Sequence, residues 1–259
     1  MTAHNQAVSQ RLRNKQPVGD DEFDLVYPPE IRRVSATFWT PVEVAVTGAE
    51  WLEAAGCRAL LDVGAGAGKL CVVASLVLGQ RVTGIEQRDY LTNIGSAAAA
   101  YYGAQVEYVH GTIETIDVGP FDALYLFNPF GENFYAPDEQ LDAEVELSAL
   151  RRMHDVTIVE HWLDNAPAQM RLLTYHGFGG RIPSSYALLR EELKGDGYLR
   201  LWQKTHAGRA AHSTPEPEPR RAATPKTAFS GSTARSGTQY SRKQSVPTPT
   251  SMFTSAGVN

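Results

Sequence analysis

The segment that most constrains this chain is Leu60 to Leu70, LLDVGAGAGKL. A short apolar run delivers Asp62, three alternating glycines follow at Gly64, Gly66 and Gly68, and Lys69 opens a nearly all-apolar stretch to Leu78 that Gly79 stops. Apolar residues on every side mean a buried strand and then a buried helix. Glycines between them let the backbone turn tightly at the helix N-terminus, where free N–H groups can meet a ligand. The spacing discriminates among such turns. A P-loop needs Gly where Val63 stands and Ser or Thr where Leu70 stands. The dinucleotide fingerprint G-x-G-x-x-G needs Gly or Ala at Lys69, which weakens that reading.

Around this unit, short apolar runs alternate with helical patterns, the sign of a parallel sheet wrapped by helices. Thr40-Pro41-Val42-Glu43 predicts a helix start, with Thr40 as N-cap and Glu43 closing a capping box, and the helix running to Ala55 before Gly56. Strands are expected at Ala59 to Val63, Arg81 to Glu86, Gln105 to His110, Phe121 to Phe127 and Gln169 to Tyr175. A helix is expected from Arg88 to Tyr102, ended by Gly103, and one or two more from Leu141 to about Asp164. Lys194-Gly195-Asp196-Gly197 between Tyr186 to Glu192 and Tyr198 to Gln203 marks a hairpin. The fold class is therefore α/β, a mostly parallel seven-stranded sheet with a terminal antiparallel hairpin.

Residues 1–21 are polar without periodicity and are expected to be unstructured. Residues 207–259 hold six Pro, eight Ser and eight Thr with few aliphatics, too little apolar surface to offset the entropy of ordering. One domain is thus expected at 22–206. The tail carries a net charge of +5, which leaves −10 on the rest. An acidic body makes nucleic acid an unexpected partner for the folded part, since phosphate binding needs clustered Lys and Arg. Cys57 and Cys71 belong to no CxxC or Cys/His cluster, so neither a disulfide framework nor a zinc site is expected. A cytoplasmic location and no membrane partner are expected, because no apolar run has the length to enter a bilayer.

The acidic residue followed by G-x-G-x-G resembles motif I of class I S-adenosylmethionine-dependent methyltransferases. Two further segments support the resemblance. In VTGIEQR, Glu86 ends a strand 24 residues after Asp62, suited to accept from two ribose hydroxyls. In FDALYLFNPFGEN, a buried strand leads into Asn128-Pro129-Phe130, similar to the Asn-Pro-Pro-Tyr and Asn-Pro-Pro-Phe motif IV of nucleic-acid and protein-glutamine N-methyltransferases, with one Pro missing and Gly131 following. A looser resemblance is to the non-SET histone-lysine methyltransferases. The similarity spans approximately Phe38 to Lys204 and implies a Rossmann-like methyltransferase fold with S-adenosyl-L-methionine as cofactor and no metal. It implies cofactor contacts from Asp62, Gly64, Ala65, Gly66, Gly68, Glu86, Gln87, Gly111 and Thr112. Asn128, Pro129 and Phe130 would position an acceptor nitrogen on a small molecule or protein. From its own place in TYHGFGG after the fifth strand, His176 can serve as general base or simply hydrogen-bond at the strand end. Phe38-Trp39-Thr40 can either close over the cofactor or pack as core.

Gly64, Glu86, His110, Asn128 and His176 each fall at or just after the end of an expected strand, so a parallel sheet gathers them along its carboxyl edge, where such folds bind ligands. Two rival readings are a nicotinamide-dependent oxidoreductase on the same sheet and an inactive methyltransferase-like binding module.

Overall fold

A computed structural model describes residues 3–205 and the backbone of 214–215. Helices α1 (Ala3–Arg13), α2 (Asp20–Phe23), α3 (Pro29–Phe38) and α4 (Val42–Ala54) precede the sheet. There follow β1 (Leu60–Val63), α5 (Lys69–Leu78), β2 (Val82–Glu86), α6 (Asp89–Tyr102), β3 (Val106–His110) and β4 (Ala123–Leu126). The chain continues through a short 3-10 helix (Gly131–Phe134), α7 (Ala149–Asn165), β5 (Arg171–Tyr175), β6 (Arg181–Ile182), β7 (Tyr186–Lys194), β8 (Gly197–Lys204) and β9 (Thr214–Pro215).

Seven strands form one sheet in the order β3-β2-β1-β4-β5-β8-β7. The first five are parallel and β8 runs antiparallel to both β5 and β7. This is the expected Rossmann-like sheet with its terminal hairpin. From β1 the chain winds outward through β2 and β3, then crosses back to β4, so the switch point lies between β1 and β4. There the carboxyl ends are level, with Val63 beside both Ile85 and Leu126. A crevice at that point is the ligand site of open α/β sheets. Apolar side chains fill both faces of the sheet, one cluster against α1, α4, α5 and α6 and the other against α7, as β1 and β4 buried along their whole length require.

The structure corrects three expectations. Of the segment expected to be unstructured at 1–21, the described part is ordered: α1 buries Val8 and Leu12, four apart on one face, while Asn5 Nδ2 and Ser9 Oγ donate to the Tyr101 and Tyr102 carbonyls at the end of α6 at 2.7 Å each. An apolar face two residues wide is too narrow to stand out from the polar background. Thr40 is not an N-cap. Its hydroxyl pairs with the Tyr125 hydroxyl at 2.8 Å, and the first N–H of α4, on Val42, is capped by Asp20 Oδ1 at 3.0 Å. The helix expected from Leu141 begins only at Ala149, where the Ser148 side chain accepts from Arg151 N, and the preceding stretch is irregular. The tail expected at 207–259 lies outside the described residues, apart from Thr214–Pro215, which pairs antiparallel with β6. Among the described residues no helix is long and apolar enough to cross a membrane.

Candidate active site

A cavity opens at the carboxyl ends of β1, β2, β4 and β5. Gly66, Glu86, Gln87, Gly111 and Thr112 line it toward β2 and β3, Asn128, Pro129, Phe130 and His176 line it toward β4 and β5, and Gly64 abuts Pro129 between them. Asp62, Ala65 and Gly68 are not on its walls. Asp62 is 3% exposed, accepts from the Cys71 thiol at 3.2 Å, and has its pKa raised to about 7 by burial and by the charge of Glu86, with the thiol bond acting the other way. Gly68 packs against Tyr108. His110 is exposed, bonded to the Gln87 carbonyl, and lies away from the cavity.

Glu86 is held from two sides. Its Oε2 accepts from Gly66 N at 2.9 Å and its Oε1 from Arg88 N at 2.9 Å. Burial raises its pKa, and the bonds from Arg88 N and Gly66 N oppose that rise. An ionised carboxylate has about four acceptor positions, and with the Gln87 backbone also bonded to it at least one stays open for a ligand. Gly66 is bare for a different reason than ligand access: a Cβ there would collide with the Trp39 indole, which covers the turn. Trp39, 5% exposed, thus serves as core and as cavity wall at once.

Across the cavity, Asn128 has φ +39° and His176 φ +57°, left-handed conformations rare for residues other than glycine. The two turns are tied together by Asn128 N donating to the Gly177 carbonyl at 2.7 Å. Asn128 Oδ1 is buried without a hydrogen-bond partner. Its Nδ2 occupies the space where a Cβ on Gly131 would sit, which is the physical reason for Gly131 after Asn-Pro-Phe. His176 packs against Tyr175 and Phe127 and its Nε2 lies 3.1 Å from Asp196 Oδ1, in the β7–β8 turn. Non-glycine residues in strained conformations cluster at functional sites, and here two are adjacent.

Two segments cover the cavity, each anchored by a buried cation. Lys69, 1% exposed, reaches Asp24 at 2.9 Å, Ser35 Oγ at 2.9 Å and Asp20, and so fixes α2 and α3 over the glycine turn. Arg88, 5% exposed, reaches Glu132 at 3.0 Å and Asp142 at 2.9 Å on the β4–α7 connection. The two covers meet where the Phe38 and Tyr135 rings contact edge to face at 6.0 Å. Sequence reasoning missed these anchors and Asp196. A lysine inside an otherwise apolar turn-and-helix unit was the available signal, since a buried ammonium must find carboxylates.

No protein-family model matches the chain, and no curated protein does. Solved structures that it resembles include an RNA methyltransferase from Salinibacter ruber in complex with S-adenosyl-L-homocysteine, 17% identical, TM-score 0.47, covering 65% of this chain and 94% of that one. Another is the putative methyltransferase yhhF from Escherichia coli, 18% identical, TM-score 0.44, covering 63% and 85%. A third is the ribosomal protein L11 methylase from Lactobacillus delbrueckii subsp. bulgaricus, 14% identical, TM-score 0.43, covering 63% and 78%.

Proposed function

We propose that this chain is an S-adenosylmethionine-dependent methyltransferase and that its acceptor is an amino nitrogen. The observation that carries the reading is Asn128: an unpaired, buried acceptor atom in a strained turn at the cavity wall. Leaving such an atom unsatisfied costs about 1–3 kcal/mol, which a ligand N–H recovers.

The residues present fit the cofactor. The acceptor capacity left on Glu86 suits a ribose hydroxyl, Gly111 and Thr112 line the side assigned to a base, and Gly64 lines the wall between. S-adenosylmethionine would supply an electrophilic methyl group on a sulfonium. The chain's own task is to aim the nitrogen lone pair at it and exclude water. Asn128 Oδ1 and the Pro129 carbonyl are assigned to the acceptor N–H groups, Phe130 and Trp39 to the dry wall. His176, oriented through Nε2 by Asp196, is assigned the proton that an ammonium must shed before it can attack. Asp62 is assigned an indirect part, supporting the turn from behind, with Ala65 and Gly68. The sequence expectation against nucleic acid finds no support, and the amine is proposed without restriction to one carrier.

Calorimetric titration tests the cofactor: S-adenosylhomocysteine should bind and NAD should not, and the reverse would favour the oxidoreductase. Label transfer from the methyl donor to components of a cell extract tests turnover against a binding-only module. Asn128→Ala should keep S-adenosylhomocysteine affinity within a few fold while lowering that transfer roughly 100-fold, the scale of a lost positioning contact. Equal transfer by wild type and Asn128→Ala would refute the assignment of the Asn-Pro-Phe turn.

A further inference from the structure

We propose that Arg88 is a positioning residue that couples the cofactor side of the cavity to its acceptor side: by gripping the β4–α7 connection it makes cofactor occupancy order the wall against which the acceptor binds. The inference rests on the cofactor reading above and goes beyond it.

The coupling has two halves that share three residues of main chain. On one half, Arg88 N donates to Glu86 Oε1, the carboxylate assigned to the ribose. On the other, the Arg88 guanidinium donates from Nη2 to Glu132 Oε1 at 3.0 Å and from Nε to Asp142 Oδ1 at 3.0 Å. Glu132 and Asp142 are ten residues apart and are not joined by any ladder, since beyond Phe134 the connection is irregular as far as Ser148. One planar fork therefore draws two parts of the loop, ten residues apart, to a single point. Each carboxylate in turn organises the chain around it. Glu132 Oε1 also accepts from Leu141 N at 2.7 Å, and Asp142 accepts from the Tyr90 hydroxyl at 2.6 Å and from Glu144 N at 2.9 Å.

What the loop contributes to the cavity explains why its position matters. Glu132, Asn133, Tyr135, Leu141 and Leu147 all line the cavity, and the loop leaves β4 through Asn128. A ligand seated between Glu86 and these side chains interacts fully only with the gripped loop, so it must bind that arrangement better than a released one. By linkage, the grip must strengthen ligand binding by the same factor that the ligand strengthens the grip. Lysine should substitute only in part: a single ammonium is a point charge and does not reproduce the two directed bonds to Glu132 and Asp142.

The test is hydrogen–deuterium exchange on the full chain with and without S-adenosylhomocysteine, together with calorimetry, for wild type, Arg88→Gln and Arg88→Lys. In wild type, S-adenosylhomocysteine should slow exchange of the 131–147 amides by about tenfold or more. Arg88→Gln retains its backbone N–H to Glu86. It should still bind S-adenosylhomocysteine, about fivefold or more weakly, and protect β1 and β2, yet give fast exchange at 131–147 whether or not ligand is present. Arg88→Lys should fall between. Should Arg88→Gln fail to fold, Asp142→Asn removes one charge at the periphery and should give a smaller loss of protection confined to the same loop. Wild-type, ligand-dependent protection of 131–147 in Arg88→Gln, or in Asp142→Asn where that replaces it, overturns the proposal, as does loosening spread evenly over the domain. No binding of S-adenosylhomocysteine by wild type would refute the cofactor reading and this proposal together, whereas binding without a loop response refutes this proposal alone.

Discussion

Replacing Lys69 by methionine should be the most damaging single substitution in the segment that sequence analysis first singles out. The ammonium is buried with Asp24, itself 5% exposed, and with Ser35, while Asp20 reaches it from a more exposed position. Methionine fills similar volume but leaves the Asp24 carboxylate buried and unpaired. Burial already raises the pKa of Asp24, with Lys69 and the Ser35 hydroxyl opposing that rise, so without Lys69 its charged form keeps only a neutral hydroxyl and the repulsion of Asp20. Breaking a buried pair in this way costs about 3–5 kcal/mol. The loss should appear in global unfolding, because Phe23, Tyr27 and Ile31 of the covering segment belong to the same apolar cluster as α4 and α5. At about 2–4 °C per kcal/mol for a domain of this size, Tm should fall by about 6–20 °C in a thermal melt followed by circular dichroism. The double variant Lys69→Met/Asp24→Asn separates charge from packing: a neutral amide is cheaper to leave buried, so the pair should melt well above Lys69→Met alone. A drop of less than about 3 °C for Lys69→Met, or no recovery in the double variant, would refute the claim that this ion pair clamps the N-terminal segment.

The parts of the fold that were legible in the sequence are those where one local signal decides. Lys69–Leu78 is apolar on all sides and closed by Gly79, and it forms as expected to the residue; the Gly195 turn fixes the β7–β8 hairpin in the same way. The cavity edge was legible too, because a parallel sheet leaves all its carboxyl ends on one side, and Gly64, Glu86, Asn128 and His176 arrive there together. What stayed hidden depends on partners distant in sequence. Thr40 has the local chemistry of an N-cap, yet the Tyr125 hydroxyl, 85 residues away, takes its side chain and Asp20 supplies the cap instead. Asp62 looks like a ligand contact from its place before the glycines, but its side chain turns to Cys71 beneath them. The sequence places Lys69 in a buried helix and Arg88 at a helix start, but it does not say which carboxylates meet them: Asp24, Glu132 and Asp142 come from distant segments. The same reasoning explains the irregular stretch before Ala149: its apolar residues suggested a helix, whereas Arg88 and the Ser148 cap set where regular structure begins.

Two further substitutions probe the carboxylates around the glycine turn. Glu86→Ala should weaken S-adenosylhomocysteine binding by about 1.5–3 kcal/mol, the scale of losing bonds to a charged group, as read by calorimetry on folded protein; unchanged affinity would count against the ribose assignment. Asp62→Asn should change the pH dependence of stability in the ligand-free protein. The Asp62 carboxyl titrates near the usual carboxylate range in the unfolded chain, at about 3.9, but at about 7 in the folded one, because burial and Glu86 disfavour its charge. Between those values the folded protein holds a proton that the unfolded chain has released, so this group makes stability fall as pH rises from about 4 to about 7, with no further change above. Asparagine is neutral throughout and lacks that dependence. In urea unfolding across the window, Asp62→Asn should therefore gain on wild type steadily with pH, the advantage being largest above about pH 7 and absent near pH 4. Parallel curves for the two proteins would mean that Asp62 is already ionised in the fold, and that the carboxylate behind the glycine turn is stabilised by more than the neutral Cys71 thiol.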